Sequence, residues 1–321
     1  MDLIYTNASG EDVGVLDGFT LDLAFGSDEN DFQLEVSIDS TAIEAGAFIY
    51  IDGTEYGGIV DGVEVDTESR LAKYLGRSFH GILNSRIIQP PAGSAYMTVS
   101  GEANAVIGKI IAAVGLGNLF EASTEDSTIS IPSSKIDRYI PAYDGINKLL
   151  KHNDAKLAMT FRNGKIQLAA KAAVNYAENE QYSSDHYRFN VRKYSNKVNH
   201  LICLGAGSLT ERQVLHLYLQ EDGSIGNSPY FTGLDEYAAV YDYSAVESLE
   251  ELEKGGRERL KELWNSDSAE MELFDDETVL DINDIVGATE EVTHTTITNR
   301  IVKKIIKIKD NATTIDYKVG D

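Results

Sequence analysis

Arg77, His80 and Arg86 fall within the stretch LGRSFHGILNSRIIQPP (residues 75–91), where two guanidinium groups and an imidazole could together hold an anion. Chemistry would ask for more: a nucleophile, a base to activate it, and a third group to orient the base. An isolated Arg-His cluster lacks the partners such a mechanism requires, so its first reading is structural, as basic side chains that offset a preceding acidic segment. The six histidines, His80, His152, His186, His200, His216 and His294, stand singly and lack the H-x-x-x-H spacing of a metal site. His200 and His216 fall on adjacent expected strands and could face one another, with hydrogen-bonded sheet histidines as the expected outcome. Cys203 is the single cysteine, which excludes an intrachain disulfide and a Cys-rich zinc site. In the alternating run VNHLICLG it reads as a small buried hydrophobe. There is no G-x-S-x-G and no P-loop, and GLGN at 115–118 lacks the G-x-G-x-x-G pattern and reads as a helix stop. Carboxylates are too numerous for a glycosidase-type pair to be singled out. No catalytic residue, cofactor site or metal site is assigned.

The charge is uneven. The chain of 321 residues carries a formal net charge of −24, and residues 1–69 hold 17 Asp and Glu with no Lys or Arg, Arg70 being the first basic residue. Near the other end RIVKKIIKIK is locally basic. Such acidity argues against a nucleic-acid binder, because affinity for phosphates comes from Lys and Arg releasing counterions. It suits a surface that nucleic acid must pass without sticking, or a docking face, and Asp17, Asp22, Asp28, Glu29, Asp31, Glu35 and Asp39 are the candidate residues. Hydrophobic content of 42% is that of a globular protein with a sizeable core. No apolar run approaches the roughly 18 residues of a membrane span. The start MDLIYTNASGED has no basic n-region or apolar h-region, so a protein made in the cytosol is expected.

These residues need elements to position them. DGFTLDLAF (17–25), FQLEVSI (32–38) and AFIYIDG (47–53) alternate like half-buried strands, with turns at Asp28 to Asp31 and at Asp52-Gly53, and EYGGIVDGVEVDTES adds at least one more. His80, Ile82 and Leu83 with Ile87 and Ile88 mark a short helix or strand-to-helix passage that Pro90-Pro91 ends. A helix is expected from Ser100, with Ala103, Val106, Ile110, Ile111 and Val114 as its stripe and Gly115 and Gly117 as its stop. IPAYDGINKLLKHND reads as a short helix, and LAMTFRNGKIQLAA as a hairpin turning at Asn163-Gly164. Two strands flank Gly205-Ala-Gly207, with Leu215, Leu217 and Leu219 on one face. Ser244 and Glu247 have capping-box spacing ahead of a helix whose buried side is Val246, Leu249, Leu252, Leu260, Leu263 and Trp264, with a kink expected at Gly255-Gly256. Strands close the chain.

Four pieces, GRSFHGILNSRIIQPP, NHLICLGAGSLTERQVLHLYLQEDGSI, YFTGLDEYAAVYDYSAVESLEELEKGG and TNRIVKKIIKIKD, resemble a family of tail hub proteins from long-tailed phages and prophages of Gram-positive bacteria. That family is related to the N-terminal hub region of siphophage tail-associated proteins and to the baseplate hub of contractile tails. The resemblance implies a mainly β fold with α+β insertions: two tail-tube-like β-barrel domains plus smaller α/β domains. Mapped on this chain, residues 1–85 form the first barrel-type domain, 86–180 an inserted α+β domain, 181–245 with 268–321 the second barrel-type domain, and 246–267 a helical insertion. It further implies a homotrimer at the distal end of a tail, adapting the sixfold tube to a threefold tip and forming part of the DNA-ejection channel. Implied partners are a tail tube or distal tail protein ring, a tail-tip or spike/fibre subunit, the tape measure protein, and DNA in transit without specific binding. No cofactor, enzymatic activity or membrane anchor is implied, and the location is the virion tail tip after assembly in the host cytoplasm. The sequence ends at Asp321 without the C-terminal peptidase or receptor-binding extension of many relatives, so wall cleavage is expected from another subunit. The alternative is a tail-tip hydrolase of peptidoglycan or glycan with a hidden carboxylate pair; a sugar-recognition module is the third reading, set against 17 tyrosines but a single Trp. On the hub reading Gly76, Arg77, Arg86, Pro90 and Pro91 form a joint, where the chain leaves the first β domain for the insert.

Overall fold

A computed structural model describes residues 2–40, 42–178, 187–192, 197–244, 248–264, 268–273, 279–290, 295–310 and 312–320. The chain forms two units, Met1–Phe189 with Met271–Asp321, and Asn190–Glu270. His186, His294, Val246 and Glu247 lie outside the described residues.

The acidic N-terminal segment folds as the alternation requires, into β1 (Leu3–Thr6), β2 (Asp12–Leu16), β3 (Thr20–Gly26), β4 (Asp31–Ser37), β5 (Phe48–Tyr50), β6 (Gly57–Asp66) and β7 (Leu71–Ser78). Leu21, Leu23, Phe25, Phe32, Leu34 and Val36 point inward and are buried, while Asp22, Gln33 and Glu35 alternate with them on the other face.

An α+β portion follows: α1 (Phe79–Asn84), β8 (Ile87–Ile88), β9 (Met97–Glu102), α2 (Ala103–Ala113), β10 (Phe120–Ala122), β11 (Ser130–Ile136), β12 (Ile140–Pro141), α3 (Ala142–Lys151), β13 (Ala155–Arg162) and β14 (Lys165–Ala172). Its core begins earlier than residue 86, because Phe79, Ile82 and Leu83 of α1 already pack with Val106, Ile110 and Phe120. α1 starts at Ser78, whose Oγ accepts the Gly81 N–H at 3.2 Å. α2 starts at Ala103 and not at Ser100, which lies in β9. Glu102 caps it by accepting the N–H groups of Asn104 and Ala105 at 2.9 and 2.7 Å. The β13–β14 hairpin turns through Asn163 and Gly164 with φ of 55° and 72°, as the dipeptide predicts.

β15 (Tyr187–Arg192) comes next. The second unit holds β16 (His200–Leu204), β17 (Val214–Leu219), β18 (Ile225–Gly226), β19 (Ala238–Asp242) and α4 (Leu249–Trp264), in strand order β18-β17-β16-β19. α4 begins just after Ser248, whose Oγ accepts the Glu251 N–H at 3.4 Å. The helix runs unbroken through Gly255-Gly256 where a kink was expected. Those glycines serve packing instead: a Cβ on Gly256 would stand 2.5 Å from Cys203 Sγ, so the helix can lie close on Leu201, Cys203 and Leu217.

The chain ends in β20 (Ser268–Leu273), β21 (Ile285–Glu290), β22 (Thr295–Lys309) and β23 (Ala312–Gly320). These strands do not join β16 and β17 in a second β domain, as the mapping of 181–245 with 268–321 expected. The large sheet runs β15-β20-β23-β22-β3-β4-β7-β6-β5-β1-β2, with β21 on β22. β22 pairs with β3 because Ile308 and Ile306 fall opposite Leu21 and Leu23, giving both ends of the chain one core. The fold is mainly β, in several sheets, and among the described residues no ladder joins β15 to β2 to close a barrel. Among the same residues no helix is long and apolar enough to cross a membrane.

Candidate functional site

Beside Gly76 and Arg77, in the stretch expected to form a joint, lies a β-bulge. The β6–β7 register shifts between Val60 and Gly62, leaving Asp61 outside the ladder. Its carboxylate accepts from Arg77 Nε and a terminal nitrogen at 2.8 and 2.7 Å, and from the Arg77 backbone N–H at 3.1 Å. Arg77 also donates to Ser85 Oγ at 3.2 Å, so one side chain ties the bulge to the end of α1. The guanidinium beside it holds the Asp61 carboxyl below its usual range. Gly76 is required by close approach, since a Cβ there would meet the Ile59 carbonyl oxygen at 2.0 Å and the Phe32 ring at 2.8 Å. The other joint residues contribute less. Arg86 is exposed and acts through its carbonyl, which accepts the Ala142 N–H at 2.7 Å, and Pro91 accepts the Ser94 N–H in an exposed turn after the half-buried Pro90.

Behind Arg77 lies a group of charges that sequence reasoning missed. Lys304 is 1% exposed, with Nζ 2.8 Å from Glu55 Oε1 and 3.7 Å from Asp281, over the rings of Phe25 and Tyr56. Lys156 Nζ lies 2.8 Å from both Asp281 and the fully buried Asp284. Asp284 also accepts the N–H groups of Val174 and Asp281. Burial raises the Glu55 carboxyl, and the Lys304 ammonium in contact with it opposes the rise. Burial works against the Lys304 charge, but Glu55, Tyr56 and Tyr317 together outweigh it and lift its pKa above the ordinary lysine value. His80 is stacked on Phe25 at 3.9 Å, edge-on to Tyr143, with Nε2 3.7 Å from Glu55 and Nδ1 without a hydrogen bond. Burial, helped by Lys304, pushes its pKa down to about 3, so it is neutral across the physiological range. The network joins β5–β6, α1, β13, the 281–284 turn and β22. Its weak sequence signal was the two lysines on otherwise apolar strand patterns.

The seven acidic candidates do not form one unopposed strip. Asp22 pairs with Lys307 at 3.7 Å, Glu29 with Lys303, Glu35 with Lys73 at 3.1 Å, and Asp39 with Arg70 at 2.6 Å. The basic segment RIVKKIIKIK is thus the neighbour of the acidic one. Asp22, Glu29 and Asp31 do gather, with Asp61 and Arg77, around a hollow of about 660 Å³. Burial and then the Glu29 charge raise the Asp31 carboxyl. Asp17, Asp28, Glu35 and Asp39 stand apart from that hollow, the first two exposed and without an ion-pair partner among the described residues.

In the second unit His200 and His216 do face one another. His200 Nε2 is 2.9 Å from His216 Nδ1, and His200 Nδ1 is 2.7 Å from Glu236 Oε1, with Tyr218 stacked on His200 at 4.2 Å. Glu236 had no signal in the sequence, because it reaches the strand from a loop that Asn199 holds through its side chain. The chain of contacts addresses no nucleophile among the described residues. Cys203, on the opposite face of the sheet, is buried and its thiol is pushed up to about 11. Among the described residues no group of three or more His, Cys, Asp or Glu is placed to hold a metal ion.

No protein-family model matches the sequence, and none of the curated proteins matches it. Solved structures do share the fold nearly end to end. The prophage tail protein gp18 from Listeria monocytogenes EGD-e is 12% identical, with 99% of this chain and 94% of that chain covered at a TM-score of 0.51. The prophage MuSo2 43 kDa tail protein from Shewanella oneidensis is 13% identical, with 100% and 98% covered at a TM-score of 0.52. At such identities the likeness is one of fold.

Proposed function

We propose that this chain is a structural subunit of a phage tail or tail-like particle of a Gram-positive host, the hub at the distal end of the tail. The observation that supports this best is the end-to-end likeness of fold to two prophage tail proteins. A fold hosts many functions, so the residues have to carry the rest, and what they offer is mechanical. The Arg77 clasp and the buried Lys304–Glu55–Asp281–Lys156–Asp284 network hold the sheet and the α+β portion as one body. Load passed along a tail would be borne there, and no activity is needed.

In this reading three copies form a ring between the sixfold tube or distal tail protein ring and a threefold tip, with spike or fibre and tape measure subunits as further neighbours. The hollow around Asp22, Glu29, Asp31 and Asp61, where Lys307, Lys303 and Arg77 offset three of the four carboxylates, faces the path of DNA and gives its phosphates no net positive charge to adhere to. The subunit assembles in the host cytoplasm and ends in the virion tail tip. The test is the mass in solution by light scattering, at low salt and at about 150 mM salt, because a −24 protomer repels itself when screening is weak. A trimer promoted by salt is expected. A monomer at every salt and protein concentration that also fails to bind purified tail tubes would overturn the reading.

A further inference from the structure

Helix α3 presents Asp144, Asn147, Lys148 and Lys151 along one face, at spacings of three and four residues, with His152 beside them. Opposite stand Ser27, Asn283 and Arg300, and the two walls enclose a groove of about 600 Å³, within the size range of ligand sites. In a chain with 52 acidic and 28 basic residues, a hollow lined by three permanent cations and one carboxylate runs against the overall balance.

The hydrogen bonds leave donors to spare. Arg300 is held by the Asn283 carbonyl at 2.9 Å and by Asp154 at 2.6 Å, which uses two of five guanidinium N–H groups. Asn283 donates to Asn147 Oδ1 at 2.8 Å, so the Asn147 amide nitrogen is turned to donate. Lys148 is 2.6 Å from Asp137 at the rim and keeps further N–H groups. His152 Nδ1 lies 2.6 Å from the Lys148 carbonyl oxygen and donates to it. Lys151 is half-buried, and its ammonium has no hydrogen bond or ion pair among the described residues. The opposing charge is Asp144, whose carboxyl burial pushes up while Asn84 opposes the rise.

We propose that this groove is an anion-binding site, taking the phosphate or carboxylate groups of a small polyanionic ligand between Lys151, Lys148 and Arg300. The room is many times that of a single ion, and a rigid guanidinium set against two flexible ammoniums suits a ligand with two charged groups. This inference is independent of the hub reading.

Calorimetric titration of the whole chain at low ionic strength, with inorganic pyrophosphate and with citrate as probes, tests it. The variants are Lys151→Gln, the double variant Lys148→Gln/Lys151→Gln, and Lys165→Gln on β14 as a charge control away from the groove. Lys151 has no partner to lose, so thermal melting of its variant should match that of the wild type. The expected result is binding by wild type and Lys165→Gln, about tenfold weaker binding by Lys151→Gln, and none by the double variant. Preference for pyrophosphate would assign the ligand to phosphates, and preference for citrate to carboxylates. No heat with either probe, equal binding by Lys151→Gln, or equal weakening by Lys165→Gln would each overturn the proposal.

Discussion

Two histidine sites in this molecule, His80 in the first unit and His200–His216 in the second, show what burial does to one residue type. His80 is sealed under Phe25, Tyr143 and Lys304, without a bond at Nδ1, and is locked neutral. His200 is also buried, yet both its ring nitrogens are engaged, and His216 carries the chain of contacts out to solvent. The first site lies among charges that hold elements together, and the second joins a loop carboxylate to an exposed imidazole. The surroundings differ in the same way: two lysines and three carboxylates compensate each other beside His80, whereas a single carboxylate, Glu236, backs the pair.

The sharpest way to break this contrast is to remove the compensation at the sealed site. Lys304→Ala leaves Glu55 buried without its cation, and a loss of about 3–5 kcal/mol is expected in denaturant unfolding of the first unit. A companion Lys304→Met/Glu55→Leu variant should recover most of it, and failure to recover would mean that packing, not charge, holds the joint. A smaller effect comes from acid. The folded-state pKa of His80 lies at about 3, below its unfolded value of 6.5, so the stability it contributes is complete above about pH 6.5 and drains away as pH falls toward 3. His80→Phe should flatten the stability curve of the first unit across that window, whereas His216→Gln should leave that unit's curve as it is. The smallest change probes the second unit alone. Gly256→Ala pushes a methyl into Cys203 Sγ, and overpacking by about 1–3 kcal/mol should speed proteolysis within 190–270 while the first unit stays protected.

Much of the local structure was legible in sequence, because local rules decide it. Strands β3 and β4, the Asn163–Gly164 hairpin and the apolar stripe of α2 followed from period and turn chemistry, and His200 faced His216 because both lie on paired strands. The Glu102 cap escaped because glutamate seldom fills a position that Ser or Asp usually takes. It works here because Ser127 and three backbone N–H groups outweigh its burial and hold the carboxyl down to about 2. The glycine pair of α4 was misread because flexibility and close packing leave the same residue in the sequence. Least legible was the pairing of β22 with β3, where register is set by Ile306 and Ile308 against partners at the far end of the chain. A hint existed in the charges, a basic strand and an acidic segment without basic residues. The carboxylates of the buried network could not be picked from 52.

That last pairing has a temporal side. Lys303 meets Glu29 across 274 positions, so β3 waits for its neighbour while nearly the whole chain is synthesised. At roughly 5–20 residues per second the wait lasts on the order of tens of seconds. Throughout it the β3 edge stands without the strand that places Ile306 and Ile308 opposite Leu23 and Leu21, the kind of edge that recruits stray strands. Like charges repel, so the 17 Asp and Glu of residues 1–69, not yet met by the lysines of β22, would oppose the pairing of that edge with a neighbouring nascent chain.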